Sequence, residues 1–222
     1  MASVLNPRLE ILPEPQRRFW PELATVPDRF VLYGGTAIAL RCAHRTSEDF
    51  DFFSNVPFEP DDLERELPFL RGAERLQSSR NTLVVTIDRG GAVKVSFFGG
   101  LSLRRVADPE ITEGPRILVA SLLDLAATKM AAVQSRAEAK DYIDVAELLR
   151  SGIHLGAALS AARAVHGSKF NPFLSLKALS YFGDGDLNRL SDEVRQSLGA
   201  AVREVDPHEL PTLSPCEGGI AP

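Results

Sequence analysis

Apolar positions follow two rhythms along this chain, and the change between them divides it. Up to about residue 100 the apolar runs are short and of strand type: Phe30-Val31-Leu32-Tyr33, then Asp49-Phe50-Asp51-Phe52-Phe53, then 82–88 and 93–98. Asp88-Arg89-Gly90-Gly91 between the last two is a hairpin turn signal, so part of the sheet is antiparallel. Phe19, Trp20 and Leu23 stand at helical spacing and predict a helix over 14–24 that packs on the sheet. A helix over 37–43 follows the first strand, and Pro57 to Leu70 reads as a loop and helix. From Ser121 the period becomes helical, with Ser121 as N-cap and Asp124 at the third helical position. Helices are predicted over 121–134, 139–151, 155–166, 172–182 and 187–204. The pattern therefore predicts an α/β (α+β) chain: a sheet domain over 1–115, a helical domain over 116–205 and a flexible Pro- and Gly-containing tail over 206–222.

Two short segments of the first part carry chemistry. Gly34-Gly35-Thr36 breaks the first strand at the start of a helix, where glycines let backbone amides approach a phosphate and the helix dipole favours its charge. Thr36 can add a hydroxyl contact. Asp49 follows Thr36 by thirteen residues, and Asp49 and Asp51, two apart on a strand, leave one face while Phe50 and Phe52 leave the other. Hard oxygen ligands at this spacing suit Mg²⁺, which completes its shell with water and substrate phosphates. A Gly-Gly turn or an Asp-x-Asp pair alone is usually a turn or a solvated edge; in this order and at this distance they reinforce each other.

In the helical part several charges fall on apolar faces. Lys129 and Arg136 share the arc of Leu122, Leu125, Ala126 and Val133, and Asp141 lies among Val145, Leu148 and Leu149 with Asp144 at the edge, while Lys140 and Glu147 point away. Buried charges are costly unless paired or used. A break at Arg136-Ala137-Glu138 would fold the two helices into a hairpin and bring Lys129 near Asp141. That pair reads either as a salt bridge fixing the hairpin or as a functional group, with Lys129 serving phosphate charge rather than stability.

Gly34-Gly35-Thr36 through Asp49-Phe50-Asp51 resembles the signature of the polymerase-β-type nucleotidyltransferase superfamily. The wider string, with His44-Arg45-Thr46-Ser47-Glu48 before the acids and Lys129…Arg136…Lys140-Asp141-Tyr142-Ile143-Asp144 as a second block, is similar to its AbiEii/AbiGii toxin branch over roughly residues 25–185. The resemblance implies a polymerase-β-like mixed sheet with flanking helices followed by a helical C-terminal domain. It implies a Mg²⁺-dependent nucleotidyltransferase that moves a nucleoside monophosphate from an NTP to an acceptor and releases pyrophosphate. In this reading Asp49 and Asp51 hold the metal and act with Lys129 and Asp141 in catalysis. Gly34, Gly35, Thr36, Arg45, Ser47 and Arg136 meet the nucleotide, and Asp144 supports them; Ser47 reads equally as the cap of a turn. The implied setting is toxin–antitoxin or phage defence, with RNA, through the 3′ end of tRNA, as acceptor and an antitoxin protein as partner. Nucleotidylylation of a protein hydroxyl, and an inactive nucleotide- or partner-binding module, are the alternatives. One departure from the superfamily matters: alternation puts Lys94, Ser96 and Phe98 on one face, and Ser96 stands where a third carboxylate is expected.

Composition narrows the rest. The chain has 222 residues, 44% hydrophobic and 25% charged, which suffices for a core in an ordinary water-soluble protein. A net charge of −5 argues against a protein that coats nucleic acid, although Arg41, His44 and Arg45, or Arg71, Arg75, Arg80, Arg104 and Arg105, could form a local patch. For those last five, solvated surface is the favoured reading. Cys42 and Cys216 suggest neither a disulfide framework nor a zinc site. No apolar stretch reaches membrane-spanning length and the N-terminal residues do not read as a signal peptide, so no membrane partner and a cytoplasmic location are expected.

Overall fold

Strand order explains why the acids of the Asp-Phe alternation end up where they do. In a computed structural model of the protein, which describes residues 3–222, the chain forms two compact units. Of the described residues, the first comprises 3–103, 108–121 and 218–222; the second comprises 104–107 and 122–217.

The first unit is built on a mixed sheet of β1 (Val4–Leu5), β2 (Val31–Tyr33), β3 (Asp49–Phe53), β4 (Glu74–Ser79), β5 (Thr82–Asp88), β6 (Ala92–Phe98), β7 (Glu110–Thr112) and β8 (Leu118–Val119). Its order is β1-β7-β8-β2-β3-β6-β5-β4, so β3 lies in the interior. There it pairs antiparallel with β2 and parallel with β6, in a register that sets Asp49 beside Lys94 and Asp51 beside Ser96. Period-2 alternation then decides the faces. Phe50 and Phe52 are fully buried, Phe50 against Phe19 and Trp20 and Phe52 stacked on Phe97 at 5.2 Å, while Asp49 and Asp51 stay half-exposed.

Three helices flank this sheet: α1 (Glu14–Phe19), α2 (Gly34–Cys42) and α3 (Pro60–Glu66). The helix predicted over 14–24 is α-helical only to Phe19 and continues as a 3-10 turn from Trp20 to Thr25, because Pro21 has no N–H for an i−4 bond. At the hairpin, the Asp88 carboxylate accepts from the amides of Gly90 (2.8 Å) and Gly91 (3.0 Å), which fixes the turn between β5 and β6. The segment expected to be a flexible tail carries Ile220, which is buried and whose amide donates to the Asn55 side chain, and residues 218–222 belong to the first unit.

The second unit contains α4 (Leu122–Ser135), α5 (Ala139–Arg150), α6 (Leu155–His166), α7 (Pro172–Leu179) and α8 (Asp192–Arg203). The single helix expected over 187–204 is broken. Leu187–Arg189 is a 3-10 turn, and Ser191, whose hydroxyl accepts from the Val194 amide, caps α8 with Asp192 and Glu193 in its first turn. The Asp124 carboxylate accepts from the amides of Val106 (2.7 Å) and Ala107 (3.2 Å), which ties the 104–107 segment to α4. Among the described residues, no helix is long and apolar enough to cross a membrane.

Candidate active site

The glycine turn and the acid pair are brought together by β2 and β3, whose antiparallel register places Tyr33 opposite Asp51. Gly34 follows Tyr33 at once with φ +75°, and a Cβ there would lie 2.6 Å from Asp51 Oδ2. A Cβ on Gly35 would lie 2.5 Å from an Arg45 Nη and 2.9 Å from Ser47 Oγ. The positive φ at Gly34 favours glycine there, whereas a side chain at Gly35 would have to displace the Arg45 guanidinium and the Ser47 hydroxyl. Gly34, Gly35, Arg45, Ser47 and Asp51 thus occupy one corner of the sheet, at the N-terminus of α2.

Thr36 does not have the role expected of it. It is fully buried and its hydroxyl donates to the backbone carbonyl of Asp49, so it fastens the start of α2 to β3. Arg41 also leaves the expected basic patch: its guanidinium ion-pairs with Glu110 and donates to the Ala120 carbonyl at 2.8 Å. Burial pushes the Glu110 carboxyl up, but the Arg41 hydrogen bond and charge outweigh it and hold the pKa below the usual carboxylate value. Of the five other arginines, Arg75 is bound by Asp61 and Glu64, Arg80 faces Glu59 at 3.6 Å, and Arg105 is buried.

Asp49 keeps 37% of its side-chain surface exposed and faces Lys94, whose Nζ lies 3.4 Å from its Oδ2. Ser96, beside Asp51, is 2% exposed. Two half-exposed carboxylates on one face, beside the glycine turn, form a donor set that fits Mg²⁺, which takes one or two carboxylates and leaves the rest of its octahedron to water and phosphate.

The second unit holds the other predicted residues, and they form a closed ionic cluster. Lys129 of α4 lies 2.6 Å from Asp141 Oδ1 and 2.7 Å from Asp144 Oδ2, both on α5. Arg136, in the turn between the helices, reaches Asp141 Oδ2 at 2.6 Å. Asp141 and Asp144 are wholly buried and Lys129 nearly so, while Arg136 is about half exposed. Burial raises the Asp141 carboxyl, yet the Arg136 hydrogen bond and the Lys129 charge prevail and its pKa is lowered. Asp144 is therefore inside the hairpin rather than at its edge. Glu147, expected to point away with Lys140, is also buried and held by Arg150 at 2.7 Å.

The sequence of this chain matches the model of the nucleotidyl transferase AbiEii toxin family, a type IV toxin–antitoxin system, over residues 19–213. The chain belongs to the AbiEii family. It is a nucleotidyltransferase of that toxin family by descent, and the fold agrees. An uncharacterized protein from Aquifex aeolicus is 30% identical over 186 residues, covering 79% of this chain and 87% of that one. Two solved structures share the fold. MenT4, a nucleotidyltransferase toxin of Mycobacterium tuberculosis, is 15% identical with a TM-score of 0.57 and 87% of each chain covered. A candidate nucleotidyltransferase of H. pylori is 17% identical with a TM-score of 0.57, covering 85% of this chain and 92% of its own.

Sequence reasoning recognised Lys94 only as a neighbour of Ser96. The signal that could have marked it was the same alternation: a lysine on the acid-bearing face of a strand adjacent to the acids.

Proposed function

We propose that this AbiEii protein catalyses Mg²⁺-dependent transfer of a nucleoside monophosphate from an NTP to RNA, with the 3′ end of tRNA as acceptor, as the toxin half of a pair opposed by an antitoxin. The observation that carries this reading is the approach of Gly34 to Asp51 and of Gly35 to Arg45 and Ser47. It gathers the N-terminus of α2, a carboxylate, a guanidinium and a hydroxyl at one corner of the sheet, the groups that a metal-bound triphosphate calls for.

In this assignment the amides at the start of α2, with Arg45 and Ser47, hold the triphosphate oxygens. Thr36 keeps that helix end in register with β3 by its bond to the Asp49 carbonyl. Asp49 and Asp51 hold the metal, which when bound supplies charge neutralisation on the phosphates and positions the attacked phosphorus. The acceptor hydroxyl oxygen forms a bond to the α-phosphorus, the bond from that phosphorus to the bridging oxygen breaks, pyrophosphate leaves, and the hydroxyl proton passes to a carboxylate or to water. Lys129, Arg136, Asp141 and Asp144 are assigned a supporting part in the reaction from the second signature block, with Asp141 holding Lys129 and Arg136 in place within their own unit.

Incubating the purified protein with Mg²⁺ and each labelled NTP, first with bulk tRNA and then with cell lysate, tests the proposal. Label in RNA is the expected result. Label in protein alone would move the acceptor to a protein hydroxyl. Absence of label in both would favour an inactive binding module, for which the serine at position 96 is the specific support.

A further inference from the structure

We infer that Lys94 takes the place of a second divalent cation, so that this site works with one metal ion and one ammonium group. The inference rests on the metal-dependent reading above and goes beyond it.

A two-metal centre needs enough fixed negative charge to hold two dications at close range, and this sheet does not offer it. The parallel ladder of β3 and β6 leaves no freedom about what stands beside the acids: Lys94 beside Asp49, Ser96 beside Asp51. Ser96 is 2% exposed, so its hydroxyl is packed into the sheet at the position from which a third carboxylate would reach a metal. Among the described residues, no three His, Cys, Asp or Glu side chains are grouped to hold a metal ion. Lys94 Nζ meanwhile stands 3.4 Å from Asp49 Oδ2 with 44% of its side chain exposed, close enough to place its charge on the acid-bearing face and free enough to follow a polyphosphate. An ammonium at that point repels a second dication.

The charge balance supports the substitution. Two divalent ions on three carboxylates leave one net positive charge for the polyphosphate. One divalent ion and Lys94 on two carboxylates leave the same. What the exchange gives up is direct coordination of an attacking or leaving oxygen by the second metal, and what it keeps is electrostatic stabilisation of a developing negative charge by a donor that needs no third acid. The bland alternative is that Lys94 and Asp49 form a half-exposed ion pair of little consequence.

Counting metal separates the two without relying on turnover. Mn²⁺ titrated into the full-length protein with a non-hydrolysable NTP analogue, followed by electron paramagnetic resonance, should show one tightly bound ion per chain. In Lys94→Met, which keeps the fold because the side chain is half-exposed, that ion should bind about fivefold more tightly, because a repelling charge has gone. Nucleotide transfer by the same variant should fall by about 100-fold, and Lys94→Arg should recover part of it. Lys94→Met combined with Ser96→Asp should bind two ions. Two ions on the wild-type protein, or a Lys94→Met variant with unchanged metal affinity and unchanged turnover, would overturn the role given to Lys94 while leaving the metal-dependent reading in place. Absence of bound Mn²⁺ on the wild type would remove that reading and this one together.

Discussion

Each unit of this protein carries a pair of aspartates, and the two pairs are treated in opposite ways. Asp49 and Asp51 leave one face of a strand, half-exposed, with Lys94 3.4 Å from Asp49 and Gly34 close against Asp51. Asp141 and Asp144, one helical turn apart, are wholly buried, with Lys129 at 2.6 and 2.7 Å and Arg136 at 2.6 Å. Spacing accounts for the shared face in both: two residues on a strand, three on a helix. Desolvation accounts for the rest. A buried carboxylate survives as an anion only if cations neutralise it on the spot, whereas a half-exposed one can keep water until a metal replaces that water. The first pair keeps contact with solvent; the second is sealed among its own cations.

The comparison breaks most visibly at Asp51. Replacing Asp51 by Ala removes a proposed metal ligand and should lower nucleotide transfer by about 1,000-fold, corresponding to the several kcal/mol a bound metal supplies to the transition state. Thermal unfolding should stay at the wild-type value or rise slightly, because one of two neighbouring negative charges has gone. A variant with wild-type turnover would mean that Asp51 is only a solvated strand residue.

Lys129→Met should do the reverse to stability. The sequence alone suggested that this change would spare the fold. The structure revises that expectation, since methionine would strand Asp141 with Arg136 alone and Asp144 without its Lys129 partner inside the hairpin. A loss of about 3–5 kcal/mol in denaturant unfolding is expected. The triple change Lys129→Met, Asp141→Leu, Asp144→Leu should recover most of it, because an apolar replacement of a buried ionic cluster is often neutral or stabilising. If the triple variant regains stability but not transfer activity, the cluster is needed for more than holding the hairpin. If it regains both, the cluster is only structural.

How much of this could be read beforehand depended on the length of each pattern. The alternation in 49–53, the hairpin through Gly90-Gly91 and the long helical stripes were legible because each repeats its period several times, and the acids, glycines and helical cations were found from them. The strands Val4–Leu5, Glu110–Thr112 and Leu118–Val119 are two or three residues long and contain no period at all. Glu74–Ser79 was missed for another reason: it is an exposed, polar, bulged edge strand with no apolar face. At the candidate site, the type and order of residues were legible but not their partners. Arg41 looked like surface charge until Glu110 closed over it, and Thr36 looked like a phosphate contact until the Asp49 carbonyl claimed its hydroxyl. Both partners are fixed by strand order, which a local pattern does not contain.

The smallest expected effect tests whether engagement of buried groups governs the helical unit beyond its aspartates. His166 lies at the end of α6, where burial pushes its imidazole pKa below the ordinary value of about 6.5 and the Ala127 backbone bond only partly opposes this; its Nε2 is buried without a hydrogen-bond partner. The folded state therefore favours the neutral ring. In the unfolded chain the ring takes its proton near pH 6.5, so below that pH the unfolded state binds more protons than the folded one and stability falls as the pH falls. The loss levels off once the pH passes below the depressed folded value. Asp141, also depressed, has the same sign but a lower window, since its contribution is complete above the ordinary carboxylate value of about 3.9 and is lost only below it. The two are separable: between pH 7 and 5 the fall in unfolding free energy should belong to His166, and His166→Phe should flatten the profile there while leaving the steeper loss near pH 3 intact. An unaltered slope between pH 7 and 5 in that variant would show that the buried ring contributes nothing, and that the aspartate cluster alone sets the acid sensitivity of this unit.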